Sequence, residues 1–332
     1  MSKNIKQLTA IIVLIIMILS GCANRDKSTS ETPKGDATVV TEDTKKAKGD
    51  TASVVADSEK DKKDTVAVVE DTDRDNSDAS TVGDSATPEI VVDTEFSKRD
   101  LEVGYEESTA TRISLSDTNV EVTGEGAITE LGVITISQEG TYVISGTIKD
   151  GRVIIDAGDS DKIHLVLKDA SITCSNYAPV YIKNADKVFI TLEEGTVNSL
   201  IDGYKYVQVD ENDVDGAIFS KADLTINGKG TLNITGNYKH GILSKDDLVI
   251  TGGTYLISAV KDALNGKDCV KIKDGVFTLS SEKGNAIQSR NNDDITKGYV
   301  YIGGGSITVT KCREDIESEV ISITDEVIYI TP

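Results

Sequence analysis

A returning phrase constrains this chain more than any other feature. Residues 240–253 read HGILSKDDLVITGG, residues 262–275 read DALNGKDCVKIKDG, and residues 216–230 read GAIFSKADLTINGKG. Within each copy two apolar residues stand two apart: Leu224/Ile226, Leu248/Ile250, Val270/Ile272, then Val300/Ile302 and Ile321/Ile323. A second set follows after a Gly-rich or acidic turn, at Leu232/Ile234, Tyr255/Ile257, Phe277/Leu279, Ile307/Val309 and Ile328/Ile330. A third column precedes both, at Ile218, Ile242, Leu264, Ile287 and Ile316. Residues two apart share one face of a strand, and β-branched side chains between glycine turns favour strand over helix.

Each repeat is thus three short strands in about 21 to 24 residues, with one longer copy. No single copy can close a core. Stacked copies can, because each apolar column then continues through neighbours about 4.8 Å away. A propeller blade needs about 40 residues, and a leucine-rich repeat would show its Leu/Asn consensus. The pattern therefore predicts an all-β chain folded as a parallel β-helix, a solenoid spanning residues 105–332. GTYVISGTIKDGRVIIDAG, KIHLVLKDASITC and KVFITLEEGTVNSL read as its N-terminal coils, starting near Ile113, and EVISITDEVIYITP reads as the last.

The other end of the chain is different. Lys3 and Lys6 precede the apolar run LTAIIVLIIMILS, and Leu19-Ser20-Gly21-Cys22 follows, which reads as a lipoprotein signal peptide over residues 1–22 with lipidation at Cys22. Residues 23–98 are rich in Asp, Glu, Lys, Ser and Thr and show no sustained hydrophobic period. Such a segment buries too little apolar surface to offset its chain entropy, so it is expected to be a disordered acidic linker. The expected product is a monomer, lipid-anchored at the extracellular face of the cell membrane.

The formal net charge is −21. Nucleic acid is excluded as a partner on this ground, since its binding rests on neutralising phosphates with Lys and Arg. An anionic ligand would need a bridging cation. Cys174, Cys269 and Cys312 match no zinc spacing and read as buried free thiols.

In a filled solenoid, function must lie on outer faces and turns. Two residues before the third column stand Asp262, Asn285 and Glu314, with His240 and Gly216 in the other copies. The turn after that column carries Asp246 and Asp247 in one copy and Asp268 in the next, with Lys245 and Lys267 stacked beside them. Carboxylates one rung apart repel unless they are paired with Lys or bridged by a hard cation such as calcium, which takes six to eight oxygens. The insertion SRNNDDITKG adds Asp293 and Asp294 as further candidate calcium ligands, without the EF-hand spacing. Tyr299 and Tyr301 alternate with core positions and are candidate sugar-contact residues, as are Lys245 and Lys267. Packing across strands is the competing role for the tyrosines. Two histidines far apart, with no nucleophile motif, give a catalytic dyad no support.

The phrases YIKNADKVFITLEEGT, AIFSKADLTINGKGTLNITGNY, HGILSKDDLVITGGTY and KGYVYIGGGSITVT together resemble the bacterial carbohydrate-binding-domain family of exported β-helix proteins, related to family 9 polysaccharide lyases. The resemblance runs from about Ile113 to Pro332. It implies a right-handed parallel β-helix, bound calcium and affinity for plant-wall polysaccharide, cellulose-like or acidic. The family phrase begins Asp-Gly-Ile, and here Asp262 keeps the Asp while His240, Asn285 and Glu314 replace it. Fewer calcium sites are therefore expected. Three functions follow: a non-catalytic, calcium-assisted binder of polysaccharide such as polygalacturonate; a calcium-dependent lyase acting on uronate polymers by β-elimination; or a structural or adhesive solenoid.

Overall fold

The computed structural model describes residues 89–324 and 327–330. The expected signal peptide, Cys22 and the linker as far as residue 88 lie outside the described residues.

The repeat becomes a coil of three strands. Gly216–Ser220, Asp223–Gly228 and Thr231–Gly236 make one coil, and His240–Ser244, Asp247–Ile250 and Thr254–Ala259 the next. They pair strand for strand and in parallel, Ile218 on Ile242, Leu224 on Leu248 and Leu232 on Tyr255. Eight such coils stack among the described residues, from Val133–Ile136 to Ile328–Ile330. The first strands of the coils form one face, the second strands another and the third strands a third. The predicted all-β parallel solenoid is the observed fold. Two strands, Gly140–Ile148 and Lys162–Thr173, turn the corner between the second and third faces unbroken, so the two faces run together as one sheet. Antiparallel pairs close the N-terminal end: Thr111–Ser116 with Asn119–Thr123, and Ala127–Glu130 with Val133–Ile136.

The three predicted columns fill the interior. Ile242, Leu248 and Ile257 are fully buried, and the Tyr255 and Phe277 rings stack 4.7 Å apart on successive coils. Each such side chain contributes roughly 1.5–3 kcal/mol by leaving water. The corners need tight turns. Gly228 has φ +101°, and a Cβ there would stand 2.2 Å from the Leu192 carbonyl oxygen, which only glycine avoids.

Two expectations are corrected. In the last coil Tyr329, not Ile328, takes the register position of Ile307; a turn one residue longer than the pattern assumed shifts the alternation. Residues 89–98, expected as linker, are instead laid along the solenoid. Asp93 pairs with Lys271 at 2.5 Å, Phe96 packs on Tyr301, and Arg99 lies 4.3 Å over the Phe189 ring. Asp100, 5 % exposed, meets Lys187 at 2.9 Å, and Tyr105 stands edge-on to His164. This strap crosses the second face from its C-terminal coils toward its N-terminal ones. Its charges find partners of opposite sign on the sheet, which composition alone does not show.

Beneath the strap the face carries buried polar groups. His164 Nε2 lies 2.8 Å from Thr191 Oγ1, Thr191 donates to Asn227 Oδ1 at 2.6 Å, and Asn227 Nδ2 donates to the Asp100 and Glu102 carbonyls. Because Thr191 gives its proton to Asn227, His164 must donate from Nε2, which fixes the Nε2–H tautomer of the neutral ring that burial favours.

Candidate functional site

The corner between the first and second faces carries the acidic turns. Asp223 stands in register with Asp247 one coil on, and Asp246 joins them: carboxylate oxygens of all three lie within 4.8 Å of one another. Burial pushes the Asp246 carboxyl up to about 6, with the neighbouring Asp268, Asp223 and Asp247 adding to it. Burial and Asp247 likewise raise Asp223. Oxygens on opposite sides of a calcium ion are about 5 Å apart, since each bond is about 2.3–2.6 Å. The three carboxylates therefore fit one hard divalent cation.

Of the other calcium candidates, Asp268 borders the cluster through Asp246 and the rest lie apart from it. Asp268 is already served by Asn291 Nδ2 at 2.6 Å and by an ion pair with Lys297. Asp293 pairs with Lys267, and Asp294 caps the turn at Thr296. Asp262 and Asn285 belong to the first face, where Asp262 accepts from Asn285 N at 2.8 Å and lies 3.1 Å from His240 Nδ1. Burial opposes ionisation of Asp262, but His240, the Asn285 N–H and Asn265 outweigh it and hold its carboxyl low. Asp223 was legible in the turn SKADL, which aligns with SKDDL so that Asp223 matches Asp247; the alanine before it hid the match.

Tyr299 and Tyr301 form no exposed platform. Both lie on the strap face, where Tyr299 is 8 % exposed and Tyr301 packs against Phe96. Period-2 alternation correctly points them outward; the covering segment is remote in sequence. The cysteines are free as expected, Cys174 and Cys269 buried and Cys312 half-buried.

Lys245 and Lys267 line a trough of about 590 Å³ on the first face, where Lys267 holds its ion pair with Asp293. They stack in register with Arg290, one cation per coil. Along the opposite rim Lys239, Lys261, Lys283 and Arg313 also advance coil by coil. Leu243, Asn265 and Gln288 form the floor between these ladders. Seven cations thus line the trough against two carboxylates, Asp262 and Asp293. Five of the seven are ion-paired, Lys239 with Asp215, Lys267 with Asp293, Lys283 with Glu282, and Arg290 and Arg313 with Glu317, while Lys245 and Lys261 make no ion pair among the described residues.

The insertion between Ile201 and Gly216 ends the trough. It covers the outward aromatics of earlier coils, burying Tyr206 and Val214 against Tyr177, Tyr181 and Phe219. Tyr206 donates to Asp202 at 2.6 Å, and Tyr238, at the trough's end, stacks 4.4 Å from the Tyr206 ring. Sequence reasoning stacked Lys245 on Lys267 but missed the opposite ladder, although Lys239, Lys261 and Lys283 recur at the same spacing of 22 residues.

Comparison with known proteins agrees with this architecture. A protein of Acetivibrio thermocellus described as a carbohydrate-binding domain-containing protein is 36% identical over 193 residues, 58% of this chain and 67% of that protein. The solved structure of a polysaccharide lyase-like protein from C. thermocellum, a gadolinium derivative, superposes with a TM-score of 0.60 at 28% identity, over 67% of this chain and 99% of the other. Residues 130–331 match the family model of the carbohydrate-binding domain-containing proteins, and the chain belongs to that family.

Proposed function

We propose that this chain is a non-catalytic binder of acidic polysaccharide such as polygalacturonate, held in the trough between the two cation ladders. The observation that carries the reading is the pair of in-register cation ladders around one concave surface of an acidic protein, in which Lys245 and Lys261 make no ion pair among the described residues. A uronate polymer presents carboxylates at regular intervals, and the ladders present ammonium and guanidinium groups at each coil, about 4.8 Å apart. Long-range repulsion from the rest of the chain is screened beyond about 8 Å at physiological salt, so the local field decides. Asn265 and Gln288 on the floor supply donors and acceptors for sugar hydroxyls. A calcium ion held by Asp223, Asp246 and Asp247 would neutralise the corner beside the trough and fix the turns that carry Lys245. A lipid on Cys22 would hold this domain at the extracellular face of the membrane.

The test is retention on insoluble polygalacturonate, with calcium and with chelator, for wild type and for Lys261→Glu/Lys283→Glu. The double variant should bind about tenfold more weakly or worse, and salt should weaken the wild type. Equal retention of both proteins would remove the trough from the reading. Growth of unsaturated product in the same tubes would replace binding by the β-elimination alternative.

A further inference from the structure

The third strands of the coils present a surface unlike the rest of the molecule. On four consecutive strands, Val197–Ile201, Thr231–Gly236, Thr254–Ala259 and Val276–Ser281, all twelve outward side chains are uncharged. The chain is 27% charged, a proportion that would place about three charges among twelve exposed positions. The central column runs Ser199, Asn233, Leu256, Thr278 and Thr308 in continuous register. Apolar groups are left in water here: Val197 is 58% exposed, Leu256 54% and Val276 51%. Along one margin a shallow groove of about 470 Å³ passes Thr235, Ser258 and Ser280 to Tyr204, which is 82% exposed. Charge returns at the margins, with Glu282 and Lys311 on this side and, on the other, the exposed Lys229–Glu194 pair and Asp169, which accepts from Val197 N.

These features select an occupant. A charged polymer gains nothing on this face. A second copy of the chain is disfavoured by size: five coils about 4.8 Å apart and three outward residues per strand give on the order of 500 Å², against about 800 Å² per partner in a stable protein pair. A flat, uncharged, ordered polymer fits better. Threonine and valine are stiff at χ1, so ordering them against a ligand costs little entropy. Ser, Thr and Asn both donate and accept hydrogen bonds, as sugar hydroxyls require. The exposed aliphatic groups and the Tyr204 ring suit the CH-bearing faces of sugar rings.

We infer that this third face is a second carbohydrate-binding surface, selective for uncharged, ordered polysaccharide and independent of the trough. The inference rests on the reading that the chain binds carbohydrate, and the two are separable by experiment. The whole chain is assayed for retention on microcrystalline cellulose and, separately, on polygalacturonate. Asn233→Lys/Thr278→Lys places two charges in the central column, and Leu256→Lys places one at an exposed site where misfolding is not expected.

Both variants should lose about tenfold or more in cellulose retention, because each buries an unpaired charge against the ligand. Their retention on polygalacturonate should match the wild type, which also reports that they are folded. If the double variant loses both polymers, Leu256→Lys decides. Unchanged cellulose retention in Leu256→Lys would overturn the inference, as would a wild type held by polygalacturonate and not by cellulose. A wild type held by cellulose alone would spare this face and remove the trough reading. A wild-type dimer that the variants convert to monomer, seen by light scattering, would make the face a contact between copies and overturn the inference.

Discussion

Thr225 Oγ1 donates to Asp100 Oδ1 at 2.7 Å, joining residues 125 positions apart in sequence. The same carboxyl accepts from Ser97 and pairs with Lys187, and Thr251 donates to the Asp100 carbonyl. Burial opposes its ionisation, but these partners outweigh burial and keep Asp100 in its charged form. One residue thus fastens the strap to three coils.

Asp100→Ala should therefore cost about 3 kcal/mol, because it strands Lys187 and the Thr225 hydroxyl beneath the strap. Trypsin should then cut at Arg99 in the folded variant far faster than in the wild type. Equal cleavage rates and equal melting temperatures would show that the strap is held elsewhere.

On the acid side, one pH dependence comes from His164. Burial, helped by Arg99, lowers it from 6.5 to about 4. A base depressed by folding adds stability that is complete above 6.5 and is lost as pH falls toward 4, since the unfolded chain takes up the proton first. The advantage of wild type over His164→Gln in urea unfolding should shrink by on the order of 3 kcal/mol between pH 7 and pH 4. A constant difference across that range would mean that the imidazole stays accessible to protons.

At the acidic corner the prediction has two signs. Asp246→Asn should stabilise the protein in chelator by about 1 kcal/mol, after discounting for solvent screening, because it removes one of three crowded carboxylates. In calcium the order should reverse, with the wild type gaining in melting temperature and the variant gaining little. A variant that responds to calcium as fully as the wild type would place the ion elsewhere.

Gly228→Ala should cost about 2–4 kcal/mol, since the new Cβ has no room beside the Leu192 carbonyl and the backbone is held at φ +101°. Gly104, where an added methyl would meet nothing within 4 Å, is the matched control and should tolerate alanine within about 0.5 kcal/mol. Thermal melts of the two variants make the comparison.

The interior of this molecule was legible because a coil's period is written in single residues: Ile218, Ile242 and Leu264 recur at nearly even spacing and meet in register. The outside was legible only where it obeys the same period. Lys245 and Lys267 could be stacked from the sequence, and so could Asp246 with Asp268. The strap could not, because Phe96 reaches Tyr301 from the far side of the whole solenoid. Nor could the roof over Tyr181 and Phe219, since an insertion has no copy to align with. Tyr299 shows the limit well: its direction follows from alternation, whereas its burial depends on a segment some 200 residues earlier.

The direction in which the strap runs has a mechanical consequence. Residue 89 lies upstream of Asp93, and from there the contacts proceed from Lys271 through Phe189 and Lys187 to His164, parallel to the solenoid axis. A force drawing residue 89 along that axis, away from the N-terminal coils, loads these contacts in shear, so they share the load. The same force applied perpendicular to the face would peel them one at a time, beginning at Asp93. A load arriving along the axis would therefore be borne by the strap as a whole before any coil is asked to unwind.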